Sequence, residues 1–406
     1  MSKIEEMIKR LCPNGVERVP VWRYTAWDKK FNAVDKSMQK SINKYKYLLA
    51  KDLEEIKDNS GDIRILYTTE EIAYTTEEKA GNYISEGEVI AIPWGGTPSV
   101  KYYKGRFITG DNRIATSTDA EKLSNKYLYY VLLDNMKTIS KFYRGAGIKH
   151  PSMYSILTLE IPLPPLTIQR EIVSVLDSFT TLIDKMKQEV ELRKKQMEYY
   201  REKLLSFEGE ECDWNTLKEL FVIKNGLNKE KKDFGIGTPI INYVDVYKNR
   251  GLHKDDIKGL VNSNESELSR FKCTKGDVFF TRTSETKEEV GFPSVLLDDI
   301  ENCVFSGFLL KATPITDKLD AHYCKYCFFT NQFRQEVEKR ATLTTRALTN
   351  STSLYKISIP IPPLSTQHSI VSTLDAFEQY ISKLERLITL REKQYAYYRE
   401  KLLTFE

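Results

Sequence analysis

One stretch of the chain occurs twice and sets what the protein can fold into. Ile161 to Glu208 reads IPLPPLTIQREIVSVLDSFTTLIDKMKQEVELRKKQMEYYREKLLSFE, and Ile359 to Glu406 reads IPIPPLSTQHSIVSTLDAFEQYISKLERLITLREKQYAYYREKLLTFE. More than half of the aligned positions are identical. A repeat at nearly half the chain length divides the protein into two tandem units, each a variable block followed by the shared element.

Within the first copy, Ile172, Leu176, Phe179, Ile183, Met186, Val190 and Arg193 are spaced alternately four and three apart. In the second copy Ile370, Leu374, Phe377, Ile381, Leu384, Ile388 and Arg391 repeat the spacing. An apolar seam held over several heptads predicts a coiled coil rather than an ordinary amphipathic helix. About 38 helical residues make a rod of roughly 57 Å, too long to bury inside one small domain. Its simplest partner is the other rod. The seam arginines either fix register or lay their stems on the seam with their heads in water. Pro162, Pro164 and Pro165, with Pro360, Pro362 and Pro363 in the copy, predict an extended lead-in, after which Thr167 or Ser365 caps the helix.

The boundaries follow: 1–160 and 209–358 are two globular blocks, and 161–208 and 359–406 are a central and a distal spacer helix. The expected fold is α+β, with two similar domains and two long helices packed on each other as a coiled coil. In the first block, Ile63–Tyr67 and Glu88–Ile92 read as strands, Trp94–Pro98 as a tight loop, Val100–Phe107 as strand, turn, strand, and Lys126–Met136 as a buried helix. The second block is faintly similar in the same order. Gly276–Phe279 matches Gly87–Ile90, Thr281–Ser284 falls at the loop of Trp94–Thr97, and His322–Phe328 matches Lys126–Leu132.

Composition removes several classes of function. No run approaches 18 apolar residues, so no membrane span is expected. The N-terminal MSKIEEMIKRLCPNG has no apolar core of a signal peptide, and six cysteines in 406 residues make no disulfide framework, so the cytoplasm is the expected location. There is no P-loop, and Gly145-Ala146-Gly147 and Gly235-Ile236-Gly237 lack the strand–turn–helix setting of a dinucleotide site. Cys324 and Cys327 lie in one aromatic run with no second pair, which fits two small buried residues better than zinc. No carboxylate pair or histidine cluster suggests catalysis or a metal.

The loops suit a polyanion instead. Candidates in the first block are Trp94, Gly95, Gly96, Thr97, Lys101, Lys104, Arg106, Arg144 and Lys149. Those in the second are Arg282, Thr283, Ser284, Arg340, Thr344, Thr345 and Arg346. Arginine matches guanine edges bidentately, lysine and hydroxyl residues suit phosphates, and glycines let backbone approach closely. A net charge of only +4 requires the positive residues to be gathered on one face.

Two variable blocks, each followed by Pro-Pro-Leu-x-x-Gln (Pro164 to Gln169, Pro362 to Gln367) and a helix ending Tyr-Tyr-Arg-Glu-Lys-Leu-Leu, resemble the specificity (S) subunits of type I restriction–modification systems. The opening Leu11-Cys12-Pro13-Asn14-Gly15-Val16 also resembles that family. The resemblance implies a non-catalytic subunit in which each block reads one half of a split double-stranded DNA target and the two helices, packed antiparallel in pseudo-two-fold symmetry, set the gap. It further implies docking of two methyltransferase subunits and of restriction subunits. S-adenosylmethionine, ATP and magnesium would then act in those partners and no cofactor in this chain. Half-sites on one side of the duplex would lie about one turn, roughly 10 bp, apart, and unlike blocks imply a non-palindromic target. The competing readings are a stand-alone nuclease or methyltransferase, which needs a cofactor loop or carboxylate–lysine cluster, and a coiled-coil scaffold that ignores DNA. The latter leaves the paired basic loops unexplained.

Overall fold

The computed structural model describes residues 3–207 and 212–405. The chain divides into two compact units, Met1–Met186 with Leu387–Glu406, and Lys187–Arg386. Each unit therefore holds one globular domain together with parts of both long helices.

The first unit is built on a six-stranded sheet. Its strands are β1 (Thr25–Trp27), β2 (Ile63–Leu66), β3 (Ile72–Thr75), β4 (Ser85–Pro93), β5 (Lys101–Thr109) and β6 (Asn112–Ser117), in the order β1-β6-β4-β5-β2-β3. All neighbours are antiparallel except β5 and β2. β5 corrects the expected strand, turn, strand: Lys101–Thr109 is one continuous strand. Gly105, which suggests a turn by sequence, sits at φ 138° directly opposite Gly87 at φ 156°. Two facing glycines let the ribbon bend without breaking the ladder. Over the sheet lies α1 (Asn125–Asp134), whose Tyr127, Leu128, Tyr130, Val131 and Leu132 are buried. A short hairpin, β7 (Tyr143–Arg144) and β8 (His150–Pro151), follows.

The long helix α2 spans Leu166–Leu205. Its lead-in is extended, as the prolines require, and Glu160–Pro162 pairs with Arg18–Pro20. Thr167 is not the cap, because the helix already begins at Leu166. The mount is made by Gln169, which is fully buried. Its amide oxygen accepts from Ser124 N (2.9 Å), and its Nε2 donates to Lys122 O (2.7 Å) and Pro164 O (2.8 Å). Ile168, Ile172 and Leu176 enter the core of the first unit together with Leu402 and Leu403. Further along, Phe179 meets Tyr395 and Tyr398 (6.5 and 5.6 Å); residues rise on one helix as they fall on the other, so the two long helices run antiparallel here.

The second unit repeats this plan with shorter strands. Its central sheet has β9 (Phe221–Asn225), β10 (Gly251–Leu252), β11 (Val278–Thr281), β13 (Pro293–Leu296) and β14 (Leu309–Pro314), in the order β9-β14-β11-β13-β10. Between β11 and β13 the two-residue strand β12 (Thr283–Ser284) joins a hairpin, β15 (Thr342–Leu343) and β16 (Ala347–Leu348). α3 (Ala321–Cys327) takes the place of α1, and its Cys324 and Cys327 are buried among Tyr323, Tyr326 and Phe328. The second long helix, α4 (Leu364–Thr404), is mounted as the first. Asp213–Thr216 pairs with Ser358–Ile361, and buried Gln367 bonds Asp320 N, Lys318 O and Pro362 O at 2.9, 2.7 and 2.8 Å. Ser365, like Thr167, lies inside the first turn and is not the cap.

In this unit Tyr200 stacks on Phe377 at 5.6 Å. Phe377 is the repeat image of Phe179, and Tyr200 that of Tyr398, so each unit contains the same aromatic pair with the helices' roles exchanged. Ile183, Val190, Ile381 and Ile388 of the seam are buried. The seam arginine Arg193 donates to Glu189 and Gln196 of its own helix (2.7 Å each) and lies over the Tyr380 ring at 5.6 Å. Arg391 donates to Gln394 at 2.6 Å. Both heads are satisfied along their own helix at the seam's edge.

Candidate DNA-reading loops

In the first unit the β4–β5 loop and the β7–β8 hairpin meet. Gly96 N donates to Lys149 O (3.1 Å), His150 Nδ1 bonds Trp94 O (2.7 Å), and the two rings lie 5.3 Å apart. Close approach depends on glycine. Gly96 has φ 94°, and a Cβ on Gly95 would meet Ile148 at 2.9 Å and His150 at 3.2 Å. Trp94 is held from below by Arg113, whose side chain is buried and paired with Asp28 (2.8 Å) and Asp111. The guanidinium is 5.0 Å from the Trp94 ring, and Lys29 Nζ is 5.2 Å from it. Burial pushes the Asp28 carboxyl up, against the pull of Arg113. The result is a braced aromatic beside exposed Arg144, Ile148 and Lys149.

The same geometry appears in the second unit with other side chains. Thr283 and Ser284 pair with Leu348 and Ala347, and Thr349 N donates to Arg282 O (3.0 Å). Arg282 N donates to Phe308 O (3.0 Å), the counterpart of Trp94 N donating to Asp111 O (3.0 Å). The hairpin turn exposes Thr344, Thr345 and Arg346. Arg346 pairs with Glu285 (3.1 Å) at an exposed position, a contact worth well under about 1 kcal/mol. Ser284 Oγ donates to Glu289, which also accepts from Tyr247 (3.1 Å).

The structure thus brings together Trp94, Gly95, Gly96, Thr97, Arg144 and Lys149 in one unit. In the other it gathers Arg282, Thr283, Ser284, Thr344, Thr345 and Arg346. It does not gather the strand residues. Lys101 Nζ turns in to Tyr67 O (2.7 Å), and burial pulls its pKa down to about 8. Lys104 faces Glu88 (3.9 Å) and Arg106 pairs with Glu77 (2.7 Å). Arg106 lies about 17 Å of strand beyond Lys101. Arg340 bonds back to Glu336 on its own helix. Sequence reasoning missed Arg113, Asp28, Lys29, His150 and Phe308. Only His150 carried a signal, its place in the basic glycine loop; the others are assembled by strand pairing.

Among the described residues no group of three or more His, Cys, Asp or Glu is placed to hold a metal. No helix among them is long and apolar enough to cross a membrane. The surfaces offer guanidinium, hydroxyl, backbone N–H and aromatic groups, which can bind phosphates and base edges.

Comparison with known proteins agrees with this chemistry. The chain matches the family described as "Type I restriction modification DNA specificity domain" twice, over residues 32–192 and 211–392. It is 31% identical over 319 residues to the type I restriction enzyme EcoR124I/EcoR124II specificity subunit of Escherichia coli, covering 72% of this chain and 74% of that one. A putative type I restriction enzyme specificity subunit of Haemophilus influenzae is 28% identical over 356 residues, covering 82% and 87%. The crystal structure of the type I restriction–modification S subunit from M. genitalium superposes with a TM-score of 0.58 at 14% identity, covering 96% of this chain and 97% of that one, a likeness of fold. Two family matches spanning most of the sequence, one on each variable block, assign the chain to the type I restriction–modification DNA specificity family as a non-catalytic specificity subunit that recognises DNA sequence.

Proposed function

We propose that this subunit recognises a bipartite, asymmetric double-stranded DNA target and directs methyltransferase and restriction subunits to it. One half-site is read by Trp94–Thr97 with Arg144 and Lys149. The other is read by Arg282–Ser284 with Thr344–Arg346. The observation that carries this reading is a single loop-and-hairpin frame built twice with unlike side chains, since like frames with divergent surfaces suit like tasks on different ligands. The long helices supply a fixed gap between the half-sites.

Two identical partners suit the repeat: Tyr199 and Tyr397, both 60% exposed, occupy the same position of each copy and are candidates for docking one methyltransferase subunit each. Restriction subunits would join that assembly. S-adenosylmethionine, ATP and magnesium would serve those partners, with none bound by this chain, and the complex would work in the cytoplasm.

The test is methylome sequencing of cells carrying this chain and a cognate methyltransferase subunit. The expected result is a motif of two unlike half-sites separated by unspecified bases. A continuous or palindromic motif, or unselective protection of random DNA in a footprint, would overturn the proposal, and absence of DNA binding at any salt concentration would favour the scaffold reading.

A further inference from the structure

The two frames differ at one position that the reading above leaves unused. The backbone carbonyl that accepts from Trp94 in the first unit belongs to Asp111, whose side chain is drawn down onto buried Arg113. The carbonyl that accepts from Arg282 in the second unit belongs to Phe308. Its ring is turned outward: Phe308 is 65% exposed, although Gly307 and Leu309 on either side are buried. The backbone here is fixed rather than loose. Phe308 N donates to Ser306 Oγ (3.4 Å), Gly307 N to Leu227 O (2.8 Å), and Arg282 is tied on its other side to Thr349. A rigid tip therefore presents a phenyl ring to water beside the loop cluster of Arg282 to Ser284. The hairpin of that cluster adds two more exposed apolar side chains, Leu343 at 58% and Leu348 at 36%. A single exposed apolar residue is ordinary, but a fixed aromatic with two leucines among arginine and threonine groups is a surface prepared for a partner.

We propose that Phe308 is a specificity-determining residue that packs its ring against the 5-methyl group of a thymine in the half-site read by the second unit. This rests on the DNA-reading function above. Apolar contact to that methyl is how a phenyl ring distinguishes thymine in the major groove, where the flanking Arg282, Thr344 and Thr345 have polar edges to meet. Glu285 and Glu289 stand in the same loop, and each already has a partner in Arg346 or in Ser284 and Tyr247. The first unit, with Asp111 at this position, reads its half-site without such a contact.

The experiment uses the full chain with its methyltransferase partner, the target duplex found by methylome sequencing, and a set of duplexes in which each thymine is replaced in turn by deoxyuridine. Wild type should lose about fourfold in affinity at one position of one half-site, the worth of burying one methyl group. Phe308→Ala should bind the intact target more weakly and be indifferent to that replacement. Phe308→Leu should retain part of the sensitivity, and replacements in the other half-site should affect all three proteins equally. Wild type that is indifferent at every thymine, or Phe308→Ala that loses as much as wild type at each, overturns the proposal. Absence of any selective binding by wild type would instead overturn the DNA-reading function itself. Unchanged circular dichroism and melting temperature of the variants exclude a folding artefact.

Discussion

Replacing Gln169 by leucine tests whether the start of the long helix is a fixed mount. The side chain is fully buried and makes three hydrogen bonds to backbone groups of the first unit. Leucine fills a similar volume but meets none of them. The bond to Pro164 O is fully buried, and an orphaned buried carbonyl costs about 1–3 kcal/mol. The bonds to Ser124 N and Lys122 O are partly buried, and water recovers some of each loss, leaving about 0.5–1.5 kcal/mol apiece. The sum is about 2–6 kcal/mol, against a gain of under about 1 kcal/mol from the added apolar contact. Gln367→Leu should cost the same, because its three bonds, at 2.9, 2.7 and 2.8 Å, repeat the lengths of those of Gln169. Urea denaturation followed by circular dichroism reads the loss. Equal destabilisation by both variants is expected. A loss below about 1 kcal/mol in either, or a large loss in one alone, would refute the idea that a buried glutamine locks each rod to its domain.

Three further outcomes are expected. Lys311 in β14 is buried with Asp277 at 3.0 Å, so Lys311→Met, leaving a buried carboxylate, should cost about 3–5 kcal/mol, and adding Asp277→Asn, which removes the charge and keeps an acceptor for Thr274 and Thr313, should recover part of it; no recovery in the double would sink the pairing. Lys101 has a pKa lowered to about 8 from 10.5, so its ammonium carries a burial penalty below pH 8 that fades as pH rises towards 10.5. Wild type should gain stability between about pH 8 and 10 relative to Lys101→Met, and parallel pH profiles would contradict this. Removing one heptad from each long helix, residues 187–193 and 385–391, keeps the seam in phase and shortens the rods by about 10 Å. The methylome motif should then keep both half-sites and lose about three base pairs of gap, whereas altered half-site sequences with an unchanged gap would contradict the spacer function.

How much was legible beforehand differs between rods and loops. The heptads and the prolines are local signals, and period and backbone restriction act on a residue whatever the rest of the chain does. They therefore located both helices, their extended lead-ins and the pairing of one rod with the other; an apolar period carries no direction, and the antiparallel sense came only from the family resemblance. The helix starts were misread at Thr167 and Ser365, because the true anchor is a glutamine whose partners, Ser124 and Lys122 or Asp320 and Lys318, are distant in sequence. The basic strand was misread for a similar reason. Lys101, Lys104 and Arg106 look like a ligand-binding row, yet strand register gives them Tyr67, Glu88 and Glu77 as neighbours.

By itself, then, the sequence determined a tandem protein and two rods with an apolar seam. These depend on period, repetition and residue type, which are carried along the chain. Tertiary structure alone decided which loops converge. Trp94 stands on Arg113, which belongs to another strand, and Phe308 joins Arg282 and the hairpin that begins at Thr342. Such neighbours are made by sheet pairing between distant segments. The physical reason is that backbone hydrogen bonds across strands fix position without regard to the side chains they carry, so one frame can hold two different loop surfaces.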